Sequence, residues 1–281
     1  MSPGRRGLLL AMCAGAAFTQ APAASALAPI AHGAGIEAAP VAQPGPPPTT
    51  IAMGSPTAAA PQQPATATPA DVTLSNEHTL TTWAHPVEEI SIFAHPNTRS
   101  RRVARLHLET EDGFPEVYLL LSSHTDAGGQ LWIRVRIPGR PNGREGWVLR
   151  SALGGFHVTH WLLVVNRARA TLTAYYNGHV RMVAPVGVGK PSTPTPPGHF
   201  WIRERFRITQ RSNPYWPYAL GTADYSTLSE WPGGGVVGIH GDFGEPQLIP
   251  GHPSHGCVRM RDSDIAWLAP RVTLGTPVDI I

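Results

Sequence analysis

The chain has 281 residues, among them 29 Gly and 30 Pro; charged residues make up 15% and the formal net charge is +3. So small a positive surplus, with Lys190 the only lysine, excludes a nucleic-acid binder built on a concentrated basic stripe. A hydrophobic content of 42% excludes global disorder, and two cysteines, Cys13 and Cys257, exclude a disulfide framework.

Arg5 and Arg6 precede an apolar stretch from Gly7 to Phe18, and small-x-small sites follow at Ala24-Ser25-Ala26 and Ala26-Leu27-Ala28. A basic start, an apolar run of roughly 7–15 residues and such a site describe a secretory signal, here residues 1–28. The run is shorter than the roughly 20 residues a membrane-spanning helix needs, so no transmembrane helix is expected in the mature chain. Cleavage would remove Cys13, whose other reading is a lipid-anchor cysteine, and leave Cys257 as a lone thiol in an exported protein. Residues 29–70 hold ten prolines, twelve alanines and one charged residue, Glu37, with no aromatic. Such a stretch buries too little apolar surface to offset its conformational entropy, and 29–71 reads as a semi-extended linker.

Residues 72–155 carry short apolar runs separated by turn residues. Glu89 to Phe93 and Leu131 to Ile137 alternate, with turns at His95-Pro96-Asn97, Asp126 to Gly129 and Pro141-Asn142-Gly143. Short strands this closely spaced predict a small β-barrel. Its Leu131 to Val135 strand and closing Gly146-Trp147-Val148 resemble bacterial Src-homology-3-like domains, which implies either a cell-wall glycan or peptide ligand or simple packing beside its neighbour. Trp83, Trp132 and Trp147 read as core.

Residues 156–281 form a second, mostly β segment. Strands are predicted at Trp161 to Val165, Ala170 to Tyr176, from His179 after the Asn177-Gly178 hairpin turn, and at Val183 to Val188. Further strands fall at Phe200 to Ile202, Val236 to Ile239 and Val278 to Ile281. Only Asp262 to Leu268 reads as helical, with Ser263 or Asp262 as its N-cap. Arg203, Arg205 and Arg207 alternate and are expected on a solvent-facing side, where they would attract an anionic glycopeptide.

The chemistry concentrates in Gly238-Ile239-His240-Gly241 and Ser254-His255-Gly256-Cys257-Val258-Arg259-Met260. A cysteine nucleophile acts as thiolate, yet a free thiol is only a few per cent ionised at neutral pH, so it needs a histidine nearby. Both His240 and His255 are candidates. Extended alternation would put His255 on the same side as Cys257, but a histidine fixed on a neighbouring strand is easier to aim, which favours His240. Gly256 allows close backbone approach, and its N–H with that of Cys257 is a candidate oxyanion hole.

These motifs resemble the signature of the L,D-transpeptidase (YkuD-type) catalytic domain family. So do Gly189 to Phe200, with its Lys190-Pro191-Ser192-Thr193-Pro194 turn, and the closing Leu274-Gly275-Thr276-Pro277-Val278. The resemblance covers roughly 160–281 and implies a mainly β fold. A small Src-homology-3-like barrel would precede an L,D-transpeptidase-type β-sandwich with one short helix. It also implies an exported, metal-free and cofactor-free enzyme acting on peptidoglycan stem peptides. Cys257 would be the nucleophile and His240 its base. Ser254, His255 and Gly256 would shape the loop and oxyanion site, and Gly241 and Arg259 would serve substrate binding, Arg259 by holding the loop or meeting a carboxylate. The implied reaction is two-step acyl transfer: attack on the L-centred third residue of a tetrapeptide stem, loss of D-Ala, then attack by an amine of another stem to give a 3-3 cross-link. Water as acceptor would make an L,D-carboxypeptidase. Carbapenems would acylate Cys257.

Two other readings stand beside this one. His240, His252, His255 and Cys257 are zinc-ligand types, although no paired Cys-x-x-Cys or His-Glu-x-x-His accompanies them. A non-catalytic wall-binding protein would use the barrel and the Asn213-Pro214-Tyr215-Trp216-Pro217-Tyr218 stretch, which otherwise reads as a packed surface loop or lid. Asp242 and Glu245 read as exposed loop carboxylates and His252 as a loop histidine.

Overall fold

The computed structural model describes residues 71–230 and 232–281, all within one unit of the chain spanning 37–281. The predicted signal, Cys13 and the linker up to residue 70 lie outside the described residues.

The first sheet contains β1 (Asp71–Thr73), β2 (Thr81–Ala84), β3 (Ser91–Phe93), β4 (Arg102–Arg105), β5 (Tyr118–Thr125), β6 (Leu131–Ile137), β7 (Arg144–Leu149) and β8 (His157–Thr159). They are hydrogen-bonded in the order β4-β3-β7-β6-β5-β2-β8, with β1 added on β5. Alternation along β6 sends Ile133, Val135 and Ile137 into a core with Ile92, Tyr118, Leu120 and Val148. On its other face Trp132 is buried edge-on to Phe93, and its indole N–H donates to Asp126 Oδ2 at 3.1 Å. Trp147 is only partly buried, edge-on to His124. The sheet runs past residue 155, because β8 pairs antiparallel with β2 through Thr81↔Thr159.

The second set contains β9 (Trp161–Asn166), β10 (Thr171–Tyr176), β11 (His179–Gly189), β12 (Gly198–Arg207), β13 (Tyr218–Tyr225), β14 (Val236–His240), β15 (Gly251–Ser254), β16 (Val258–Met260), a helix α1 (Asp262–Leu268) and β17 (Pro277–Ile280). The pairing order is β10-β9-β17-β12-β13-β14-β16-β11-β15, and β10 also pairs β11. Two layers therefore share their long strands. Gly198–Trp201 of β12 pairs with β17, whereas Ile202–Arg207 pairs with β13. Likewise β11 serves β10 with its first part and β16 and β15 with its last residues. Val186, Ile202, Leu220, Ile239, Val258 and Met260 fill the space between the layers.

That core continues into the first sheet through Trp83, Val117 and Leu119. The indole N–H of Trp201 donates to the Val117 carbonyl at 2.7 Å. Arg203 corrects the expectation of a solvent-facing arginine row. It is 3% exposed, with Nε 2.8 Å from Glu116 Oε1, Nη2 also on Glu116 Oε2, and Nη1 2.8 Å from the Tyr225 hydroxyl. Arg205 and Arg207 do face solvent. Because β12 lies against the first sheet at this point, the outward side of the strand is solvent only beyond Glu204.

The helix has the predicted span, but its N-cap is Arg261 and neither Ser263 nor Asp262 caps it. The Asp262 N–H instead donates to Asp242 Oδ2 at 3.4 Å, so a carboxylate twenty residues upstream serves the helix end.

Candidate functional site

β14 and β16 run parallel with Ile239↔Val258 and His240↔Arg259 in register. Strand alternation sends Val237, Ile239, Val258 and Met260 into the core, leaving Gly238, His240, Cys257 and Arg259 on the opposite face. Two short segments separated by seventeen residues thus bring the thiol and the imidazole to one surface. The Gly238 N–H donates to Cys257 Sγ at 3.4 Å.

His240 is buried. Its Nδ1 donates to the Gly241 carbonyl at 2.9 Å, which leaves the lone pair on Nε2. The Tyr215 ring stands edge-on to it, with centroids 4.7 Å apart. Burial pulls its pKa down to about 4; the Gly241 carbonyl opposes that and the Arg259 charge adds to it. Burial pushes the Cys257 thiol up, against the Gly238 N–H and the Arg259 charge, and Asp224 pushes it further up. At neutral pH the resting pair is therefore thiol and imidazole, not thiolate and imidazolium.

Gly241 follows the histidine because the chain crosses here. A Cβ at 241 would overlap the carbonyl oxygen of Trp216, in the loop that carries Tyr215. The aromatic stretch is thus packed on the imidazole as a lid, and Gly241 contributes its carbonyl and its lack of a side chain.

In the loop before Cys257 the Gly256 N–H donates to Ser254 Oγ at 3.1 Å. Ser254 Oγ in turn donates to the Cys257 carbonyl at 2.6 Å. The Gly256 carbonyl accepts from Thr195 Oγ1 at 2.7 Å, and that oxygen accepts the Gly189 N–H at 2.9 Å. Ser254 and Thr195, both buried, fasten the loop from two sides. With φ of +132° at Gly256, simple alternation fails between His255 and Cys257. His255 is exposed, and its Nε2 accepts from Lys190 Nζ at 2.8 Å.

Arg259 is pinned to the loop after His240, with Nη1 2.7 Å from Glu245 Oε2 and its guanidinium 4.7 Å over the Phe243 ring. Asp242 is not an exposed loop carboxylate. It is buried, accepts the Gly244 N–H at 2.9 Å and caps α1. His252 donates from Nδ1 to the Gly189 carbonyl at 3.2 Å. Among the described residues no three or more His, Cys, Asp or Glu side chains gather as a metal site, so the four zinc-type residues are not brought together as a ligand set.

Three contributors escaped the sequence. Thr195 sits in a turn-rich stretch where nothing marks it as a clamp. Tyr215 was legible only as part of an aromatic loop. Asp224, fully buried on β13, has Oδ1 held by Asn142 Nδ2 at 2.8 Å and no partner for Oδ2. Asn142 belongs to the first sheet's β6–β7 turn, and its neighbour Arg140 donates twice to the Ser226 carbonyl, at 2.6 and 3.1 Å. The turn predicted at Pro141-Asn142-Gly143 is thus also a clamp on the end of β13.

The chain is similar to proteins of one family. Residues 160–280 match the family model YkuD, the L,D-transpeptidase catalytic domain. L,D-transpeptidase 1 of Mycobacterium tuberculosis (strain H37Rv) is 26% identical over 215 residues, covering 70% of this chain and 79% of the relative. The YkuD protein of Bacillus subtilis (strain 168) is 36% identical over 118 residues, covering 42% of this chain and 64% of the relative. Among solved structures, an L,D-transpeptidase from Mycobacterium smegmatis aligns at 16% identity with a TM-score of 0.36, covering 54% of this chain and 90% of that one.

Proposed function

From the premise that residues 160–280 belong to the YkuD-type L,D-transpeptidase catalytic domain family, we propose that the protein is an exported, cysteine-dependent acyltransferase acting on peptidoglycan stem peptides. The observation that carries the reading is the shared face of β14 and β16. There Cys257 lies beside Gly238, and the buried His240 is held in one tautomer by the Gly241 carbonyl.

In this reading Cys257 Sγ attacks the carbonyl carbon of the third, L-centred stem residue while His240 Nε2 takes the thiol proton. Charge developing on the carbonyl oxygen is met by the Cys257 N–H. The carbon–nitrogen bond to the terminal D-Ala breaks, and His240 returns the proton to the leaving amine. An amine of a second stem then attacks the thioester and gives up a proton through His240, so an amide forms and the thiol is restored. The lowered imidazole pKa leaves the base unprotonated at rest. Arg259 and Glu245 keep the 241–245 loop in place, and Ser254 with Thr195 keeps the nucleophile loop in place. Export rests on the basic start and apolar stretch of residues 1–28. Among the described residues no helix is long and apolar enough to cross a membrane.

The test is intact-protein mass after mixing the chain with a disaccharide-tetrapeptide, beside Cys257→Ala, with small products analysed from the same tube. An adduct on the wild type alone, with D-Ala released, supports the reading, and dimer or tripeptide names amine or water as acceptor. No adduct and no turnover, with substrate or with a carbapenem, would replace it by a non-catalytic wall-binding protein.

A further inference from the structure

Away from the cysteine, the second set of strands carries a groove of about 270 Å³ lined by Trp161, Tyr176, Arg181, Trp267 and Arg271. Three separate parts of the chain build it: the β9–β10 pair, in which Trp161 stands opposite Tyr176, the start of β11, and the end of α1 with the turn after it. The Trp161 and Tyr176 rings lie 5.1 Å apart at 56°. The Arg271 guanidinium is 4.4 Å over the Trp267 ring and donates to the Trp267 carbonyl at 2.5 Å. Trp161 and Trp267 rest their inner sides on the main core, so the platform is rigid before any ligand arrives.

The lining decides the chemistry of the occupant. Aromatic rings offer flat apolar faces, and two guanidinium groups offer bidentate donors with no carboxylate among the lining residues to neutralise them. That combination fits a ring with an apolar face carrying, or flanked by, an anionic group. The volume, just under the usual range for small-ligand pockets, suits one ring-sized group and not a long peptide. Position decides the rest. Gly187 of β11 pairs with Arg259 beside the cysteine, and Arg181 lies six residues away, about 20 Å at 3.3 Å per residue. A single stem peptide at Cys257 does not need the groove, but a polymer bearing many stems reaches both.

We propose that this groove is a non-catalytic subsite for a sugar ring of the glycan strand whose carboxylate is free because it bears no stem peptide, holding the polymer whose stem peptides, borne on other sugars, are offered to Cys257. The choice of a glycan sugar rests on the function proposed above; the groove's fit to an anionic ring does not.

The experiment is co-sedimentation with purified peptidoglycan sacculi in the Cys257→Ala background, so that binding is read without turnover. Tyr176→Ala with Arg181→Glu is the groove variant; both side chains are exposed, and a melting curve checks the fold. The expected result is a loss of the pelleted fraction by about fivefold or more, partly recovered when position 181 is Lys and position 176 is left as Tyr. Peptide-free glycan strands should compete for the wild-type groove. In the Cys257-containing protein the same groove variant should release D-Ala from soluble disaccharide-tetrapeptide within about twofold of wild type. Unchanged sedimentation, or competition by stem peptides and not by glycan, overturns the proposal. Absence of D-Ala release by the wild-type protein would instead overturn the catalytic reading and leave the sedimentation result standing.

Discussion

Glu116→Ala is the perturbation that most directly tests how the two sheets are joined. Glu116 is 2% exposed and Arg203 3%, and the carboxylate takes both Nε and Nη2 of the guanidinium while also accepting the Val117 N–H at 2.8 Å. Removing one partner of a buried ion pair leaves the other charge desolvated and costs about 3–5 kcal/mol. Here the lower end applies, because Arg203 Nη2 keeps Glu111 Oε2 at 3.1 Å, and that carboxylate is 40% exposed. A loss of about 3 kcal/mol in a folded unit of this size corresponds to a fall in Tm of about 6–12 °C. The control is the double change Glu116→Leu with Arg203→Met. Replacing a buried pair by apolar side chains of similar volume is commonly neutral or stabilising, so most of the loss should be recovered. Thermal melts and urea titrations of wild type, Glu116→Leu, Arg203→Met and the double variant complete the cycle, with Glu116→Ala measured beside them. A Glu116→Ala protein melting within about 2 °C of wild type would refute the reasoning, and so would a double variant as unstable as the single.

The resting protonation of the site predicts the pH profile of thiol alkylation. Only the thiolate reacts, and with the thiol raised and His240 down at about 4 there is no ion pair to generate it, so iodoacetamide labelling of Cys257 should climb into the alkaline range. A plateau between pH 5 and 8 would show an ion pair and refute this assignment; His240→Ala should slow acylation by a carbapenem about 10²–10⁴-fold. Burial raises Asp224 to about 8 and Glu204 to about 7. Both hold protons in the folded chain that the unfolded chain sheds near pH 4, so their contribution to urea resistance is full below that and is lost as pH rises through about 7 and 8. Asp224→Asn keeps the Asn142 contact and should flatten the decline between pH 5 and 8; an unchanged slope would remove Asp224 from the account.

How much of this was legible depended on whether a side chain's partner lies near it in the chain. Alternation along Leu131 to Ile137, the Asn177-Gly178 turn and the helical run Asp262 to Leu268 are local patterns, and each element formed where it was expected. The Ile-His-Gly and Ser-His-Gly-Cys motifs pointed to the candidate site, because cysteine and histidine are chemically distinctive residue types. β13 was not legible, since its Gly221, Ala223 and Asp224 are poor strand formers and are kept extended by pairing with β12 and β14. β15 and β16 are three or four residues long and carry no periodic signal of their own.

The sequence by itself determined a mainly β chain with one short helix and the two motifs. Those follow from propensity, period and residue chemistry, which act over a few neighbours. Only the tertiary structure decided how the loop before Cys257 is held, because the Gly256 carbonyl is fastened by Thr195, sixty-one residues away in the chain. It also decided that Arg203 is an internal ion-pair partner, that Asp242 caps a helix twenty residues on, and that Asn142 reaches Asp224. A charged or polar side chain looks solvent-facing in sequence unless its partner is adjacent. Whether it is buried is settled by what the fold lays against it, and here that is the packing of β12 and β13 on the N-terminal sheet.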